Sequence, residues 1–333
     1  MKRFDRGAGW RACVSMGVLL SGGLAMCLMF QEARASCGSA FCTVNSNWNL
    51  QGVAAEPGLR LDFRYEYINQ DQPRAGKDKV AVGQIPQDHD EVKTINRNYI
   101  ATLDYTINDQ WGVAAILPVS DRTHYHLDND SGAPVPEFWN FIRMDDIRVL
   151  GRYQLRSENQ QTHSLSFYGL NFGLKLPTGS RDIVNADGER AERSLQPGTG
   201  TTDLLLGAYY SQFLPNSNAS WFFQGMWQKP LNYREDYRPG QRVALDLGYR
   251  YEVTDQLGLM VQLNALYRDR DSGLQAEPDD TGGRFLFISP GISYAITKNF
   301  QVYGFVQLPI YQYVNGVQLT ADWSAVVGIS TRF

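Results

Sequence analysis

The chain has 333 residues, with 31 Lys and Arg against 35 Asp and Glu. That acid-leaning balance lacks the basic stripe that nucleic acid recognition needs, so no nucleic-acid partner is expected. Beyond Phe30 no apolar run approaches the ~20 residues of a membrane-spanning helix, which excludes a helical membrane protein.

Lys2, Arg3, Arg6 and Arg11 precede an apolar run from about Ala12 to Phe30, and Ala33-Arg34-Ala35 places small residues where a signal peptidase inspects the chain. Residues 1–35 therefore read as a cleavable secretory signal. A retained anchor is the competing reading, disfavoured by Gly17, Gly22 and Gly23 inside the run. Cleavage would remove five of the 31 basic and two of the 35 acidic residues, leaving 26 against 33. Cys13 and Cys27 would leave with the signal. Cys37 and Cys42 remain in a compartment where disulfides persist, and a small-loop disulfide is expected. A redox pair more often reads C-x-x-C, and a zinc site would need two further ligands. Residues 36–58 are assigned to an N-terminal periplasmic segment, with a plug of the lumen as the open alternative, and 59–333 to the main domain.

From Leu59 the pattern has period two. Leu59, Leu61, Phe63, Tyr65 and Tyr67 alternate with Arg60, Asp62, Arg64 and Glu66, which sorts apolar and charged side chains to opposite faces of a strand. The same alternation recurs at 99–105, 111–117, 146–155, 168–176, 203–210, 221–228, 243–251, 257–268, 285–294, 300–308 and 322–333, about twelve strands in all. The connections alternate in length. Those at 68–93, 120–145, 178–202, 229–241 and 269–283 are long; those at 106–110, 156–162, 214–219, 253–256 and 296–299 are short; 310–319 is intermediate. Long loops on one side and tight turns on the other are the organisation of a transmembrane barrel. The expected fold is therefore all-β: an antiparallel up-and-down transmembrane barrel of about twelve strands in the outer membrane of a Gram-negative bacterium.

The short turns resemble one another, as in Tyr105-Thr-Ile-Asn-Asp-Gln-Trp-Gly-Val and Tyr251-Glu-Val-Thr-Asp-Gln-Leu-Gly-Leu. Tyr105, Trp111, Tyr153, Tyr251, Tyr294 and Phe300 are placed as the aromatic girdle at one membrane boundary. The chain stops on Phe333 at the end of an alternating strand. A terminal aromatic is similar to the signal by which outer-membrane proteins are recognised for insertion, so the barrel-assembly machinery is an expected partner.

An Arg or Lys on the lipid face near the midplane would cost about 2–4 kcal/mol, so the polar set must point inward. The candidate pore-lining residues are Arg60, Asp62, Arg64, Glu66, Asp104, Asp146, Arg148, Arg152, Lys175, Asp203, Asp246, Arg250, Glu252, Arg268, Asp322 and Arg332, eight of each sign. Two readings stay open: a narrow charged pore, or an interior held shut by ion pairs. The balance of signs predicts cross-strand pairing and little preference between anions and cations.

Gly173-Leu-Lys-Leu-Pro-Thr-Gly179, followed by Gln196-Pro-Gly-Thr-Gly-Thr-Thr-Asp-Leu-Leu-Leu-Gly207, resembles the outer-membrane barrels of the meta-pathway phenol-degradation family. The resemblance implies a barrel, and it links the chain loosely to transport of small aromatic or other hydrophobic solutes. It supplies no catalytic group. No hydrolase elbow, zinc-protease helix, phosphate loop or dinucleotide fingerprint is present, so neither an enzyme nor a cofactor is expected. A membrane-embedded hydrolase is the runner-up, and it would need a serine beside one of His89, His124, His126 or His163. His124, His126, Asp128 and Asp130 are weak metal candidates, with a hydrated acidic loop as the plainer reading.

Overall fold

The computed structural model describes residues 43–51, 57–129 and 132–333. The expected signal, Cys37, Cys42 and Asp130 lie outside the described residues. The strands are β1 (Gly58–Gly76), β2 (Asp78–Lys79), β3 (His89–Thr106), β4 (Trp111–Asp128), β5 (Val135–Met144), β6 (Arg148–Glu158), β7 (Leu165–Lys175), β8 (Asp203–Leu214), β9 (Ala219–Pro230), β10 (Arg242–Glu252), β11 (Leu257–Arg268), β12 (Gly283–Ala295) and β13 (Phe300–Arg332). Among the described residues the only helices are two 3-10 turns, Pro215–Ser217 and Pro278–Asp280.

Every pairing is antiparallel, each strand beside its chain neighbour, and β13 pairs with β1 to close the ring. Eleven strands form that ring, while β2 and β5 lie off it against β1 and β4. β13 is 33 residues long. At ~3.3 Å per residue it would far outreach a ~30 Å hydrocarbon core, so it cannot be a single crossing. It pairs with β12 through residues 301–314 and with β1 through 314–332. The reversal falls at Gly316, whose φ of 54° suits glycine, and a Cβ there would lie 1.9 Å from Asp280 Oδ1. The arms rejoin where the Arg332 N–H donates to the Asn299 carbonyl at 2.9 Å. The wall is thus crossed twelve times, as the alternation predicts.

Three connections differ from expectation. The 310–319 stretch is strand up to its tip, and much of 68–93 and 120–145 is wall, since β1 runs to Gly76, β3 starts at His89 and β4 reaches Asp128. These extensions, such as Asn69-Gln-Asp-Gln, are polar on both faces. Outside the lipid they are held by ladder and polar side-chain hydrogen bonds, such as Gln70 Nε2–H to the Leu319 carbonyl, so no apolar period marks them in the sequence.

The outer face carries the apolar set. Phe63, Leu103, Val113, Leu170, Leu245, Leu259 and Val327 are exposed, whereas Asp62, Glu66, Arg152 and Asp246 are buried. Tyr105, Trp111, Tyr251 and Tyr294 are exposed near the short turns, and the Trp111 and Tyr153 rings lie 4.8 Å apart. Phe333 ends the chain on the short-turn side, its N–H bonded to the Leu59 carbonyl at 2.9 Å.

Candidate functional site in the barrel interior

Residues 43–51, part of the segment assigned to the periplasm, lie inside the barrel. Trp48 and Leu50 are almost completely buried. Trp48 Nε1–H donates to Asp62 at 3.2 Å, and its ring meets Tyr303 edge-on at 4.9 Å with the Arg250 guanidinium 5.5 Å away. Asn45 bonds Gln224, Asp246 and Gln262; Asn49 bonds Asp104; Ser46 accepts from Arg64 at 3.0 Å; and Ser220 donates to the Gln51 carbonyl. Leu50 packs on Tyr209 and Phe222. The anchors come from β1, β3, β8, β9, β10, β11 and β13, so the segment crosses the interior toward the short-turn end. A run of short polar residues around one Trp carries no strand or helix period, which is why its place was not legible.

Beside this plug is a cavity of about 340 Å³, lined by residues 43–49 and by Arg60, Asp62, Arg64, Asp104, Arg148, Arg152 and Asp246 together with Leu150, Leu205 and Met226. A second cavity of about 190 Å³ lies beyond it, lined by Glu66, Asp146, Lys175, Asp203 and Arg268 and by residues 193–199 and 237–240 of two long loops. Arg64, Arg148, Arg242 and Gln228 border both cavities and form the neck between them. Arg64 pairs with Glu66 at 2.9 Å. Among the described residues neither Arg148 nor Arg242 has a carboxylate in ion-pair contact, and Arg148 Nε has no hydrogen-bond partner. Arg242 was missed because it precedes the first apolar residue of β10, outside the alternating stretch.

The expected balance of cross-strand pairs holds only in places. Arg152 reaches Asp104 at 3.1 Å, and Lys175 bridges Asp146 at 2.9 Å and Asp203 at 3.2 Å. Arg250 pairs with Glu252 on its own strand, and Arg268 with Asp271 of a long loop. Asp62 and Asp246 have no cation in ion-pair contact among the described residues; Tyr303, Trp48 and two asparagines satisfy them instead. Arg332 is the register partner of Arg60 near the short-turn rim. Asp322 departs from the sequence assignment. Between Ile68↔Ser324 and Gln70↔Ala321 the second arm of β13 carries one extra residue, and that bulge resets the alternation. Asp322 is exposed and meets Lys79 Nζ at 2.8 Å instead of lining the interior.

The two glycine-rich motifs meet around Lys175. Asp146 accepts from the Gly179 and Thr199 N–H groups, both at 3.0 Å, and Lys175 also contacts Thr199 and Thr201. Gly179 and Gly198 lie backbone to backbone, and a Cβ on Gly198 would come within 2.4 Å of Gly179. The motif thus folds the 176–202 loop inward onto a buried charge, forming the roof of the second cavity.

At the long-loop end of the wall, His89 and Glu91 of β3, His124 and His126 of β4 and Glu192 of the 176–202 loop converge beside a pocket of about 190 Å³. His126 Nε2 lies 3.0 Å from Glu137. Burial opposes charge on both His89 and Glu192, but their mutual attraction prevails, raising the histidine and lowering the glutamic acid. Of the sequence candidates, Asp128 borders this pocket without joining the ligand cluster. Glu91 and Glu192 were missed because one sits in a polar extension and the other 101 positions on in a loop. His163 is remote, in the turn after β6.

In fold the chain is similar to an outer-membrane channel from Pseudomonas putida F1, with a TM-score of 0.63 and 14% identity over 87% of this chain and 100% of that one. The transport unit of the autotransporter AIDA-I from Escherichia coli matches with a TM-score of 0.45 and 14% identity, covering 89% and 95%. No curated relative matches the sequence. Residues 91–314 match the family model described as "Putative MetA-pathway of phenol degradation". Two thirds of the chain thus fit that model, the glycine motifs included, and this outer-membrane β-barrel belongs to that family.

Proposed function

We propose that the protein is a narrow outer-membrane channel for small aromatic or otherwise hydrophobic solutes. The observation that carries the reading is the pair of cavities meeting at the Arg64, Arg148 and Arg242 neck, with residues 43–49 lining the first of them. Eight strands leave an interior filled by side chains and sixteen leave an aqueous channel; twelve lie between, wide enough for a segment and a small molecule together. The mixed lining suits a solute with an apolar body and a polar end, since arginine faces also accept aromatic rings. Two arginines without ion pairs give the neck a positive bias, so weak anion selectivity replaces the neutrality expected from the strand-by-strand balance.

A lumen closed chiefly by ion pairs is less well supported, because the floor is built by the chain's own segment and Asp62 and Asp246 lack cationic partners. A conduit is also favoured over a hydrolase, three of the four histidines being gathered at the long-loop end of the wall. The interior carboxylates and arginines act in this reading as pore-lining groups. The proposal extends to a signal over 1–35, a Cys37–Cys42 disulfide, and recognition of Phe333 by the assembly machinery. Single-channel recording in planar bilayers, with liposome uptake of phenol and benzoate, tests the function. Conductance with measurable uptake is expected; a protein that assembles and passes neither ions nor these solutes would sink it.

A further inference from the structure

We infer that His89, Glu91, His126 and Glu192 form a binding site for a divalent transition-metal ion of the zinc class, which clasps the 176–202 loop to the top of β3 and β4. One potential ligand atom from each residue lies within 4.8 Å of all the others. Tetrahedral bonds of ~2.0–2.1 Å place ligand atoms ~3.3 Å apart, so small side-chain rotations complete the set. The three residues of the wall are buried, and the Glu91 side chain has no exposure at all.

A second observation is independent of this clustering. Both carboxylate oxygens of Glu91, Nε2 of His89 and Oε1 of Glu192 are buried without a hydrogen-bond partner. His89 Nε2 and Glu192 Oε1 lie 2.6 Å apart, but the ring N–H is not directed at that oxygen. His89 and Glu192 still attract one another as charges, but both oxygens of the Glu91 carboxylate come no nearer than 3.7 Å to an imidazole nitrogen; native interiors rarely leave a fully buried carboxylate so, and a cation at the centre would satisfy it. The supporting groups are also those of a metal site. Glu137 lies 3.0 Å from His126 Nε2 as an outer carboxylate, and His126 Nδ1 faces His124 Nε2 at 3.2 Å, a contact that the ion would replace. The Ser194 hydroxyl donates to the second Glu192 oxygen, and Trp139 packs on His126 at 4.9 Å.

Two imidazoles with two carboxylates suit zinc and its neighbours, whereas calcium takes six to eight oxygens at 2.3–2.6 Å. Four protein ligands and no vacant position describe a structural site. Its consequence is positional. Glu192 lies four residues before Gln196, which lines the second cavity, so the ion would hold the loop over the solute path. The inference stands whether or not the barrel conducts.

The test uses full-length, untagged protein in detergent, stripped with chelator and titrated with Zn²⁺ by calorimetry, with excess Ca²⁺ and Mg²⁺ as competitors. One Zn²⁺ per chain is expected, at least tenfold weaker in Glu192→Gln and lost in His89→Ala and His126→Ala, with heat-modified migration confirming that each variant is folded. Zn²⁺ should also slow tryptic cleavage at Arg190 in the parent protein and not in Glu192→Gln, a loop variant that leaves the wall untouched. No stoichiometric binding, equal binding by parent and Glu192→Gln, or displacement by Ca²⁺ would each overturn the inference.

Discussion

If residues 43–51 are the floor of the pathway, the residue that seats them is Trp48. Replacing it by Ala removes a fully buried indole, its bond to Asp62 and its edge contact with Tyr303. Truncating a buried Trp costs ~3–5 kcal/mol, of which ~1.5–3 belongs to a hydrogen bond to a charged group and ~0.5–1.5 to the aromatic pair. The wall keeps its own ladder, so the loss falls on docking of the segment and shifts the docked–undocked equilibrium by roughly a hundredfold or more. Trp48→Phe retains the ring and loses only the donor; it should cost ~1–2 kcal/mol, because Tyr303 still serves Asp62 at 2.9 Å. Single-channel recording should show the open fraction rising from parent through Trp48→Phe to Trp48→Ala, with heat-modified migration unchanged. Indistinguishable open fractions in three folded proteins would refute the assignment of the floor.

Lys175→Met leaves Asp146 and Asp203 buried without their cation, and breaking such a pair costs ~3–5 kcal/mol. The thermal transition followed by migration should fall, and adding Asp203→Asn should recover part of it; an unchanged transition would contradict the hub. Arg64→Ala removes the pair with Glu66 and the bond to Ser46, so conductance should change and anion preference weaken while the barrel still assembles. A variant unchanged in conductance, selectivity and melting would show that Arg64 does not border the neck. Asp280, in the loop before β12, is raised to about 6 by burial, against which its bond from the Val317 N–H works only in part. A folded-state value above the ordinary 3.8 means the folded protein binds the extra proton, so this group's contribution to stability is present below about pH 4 and is lost as pH rises through 6. Asp280→Asn should therefore flatten that slope in melts between pH 4 and 7; an identical slope would rule the group out.

Much of this protein is readable from residue order alone. Wherever lipid lies on one side of a strand and a polar interior on the other, the alternation Leu59-Arg-Leu-Asp-Phe-Arg carries its own orientation, and twelve crossings and the inward set followed from it. That logic fails where one of its two solvents is missing. Beyond the lipid the extensions of β1, β3 and β4 have water on the outside, so Glu91 looks like loop. At the bulge before Ser324 one added residue inverts the face, and period two alone cannot say where Asp322 points. The seat of Trp48, the Arg64–Arg148–Arg242 neck and the gathering of His89, Glu91, His126 and Glu192 were decided by closure of the ring. They join residues tens to hundreds of positions apart, and only barrel curvature and the inward fold of the 176–202 loop bring their side chains within bonding distance.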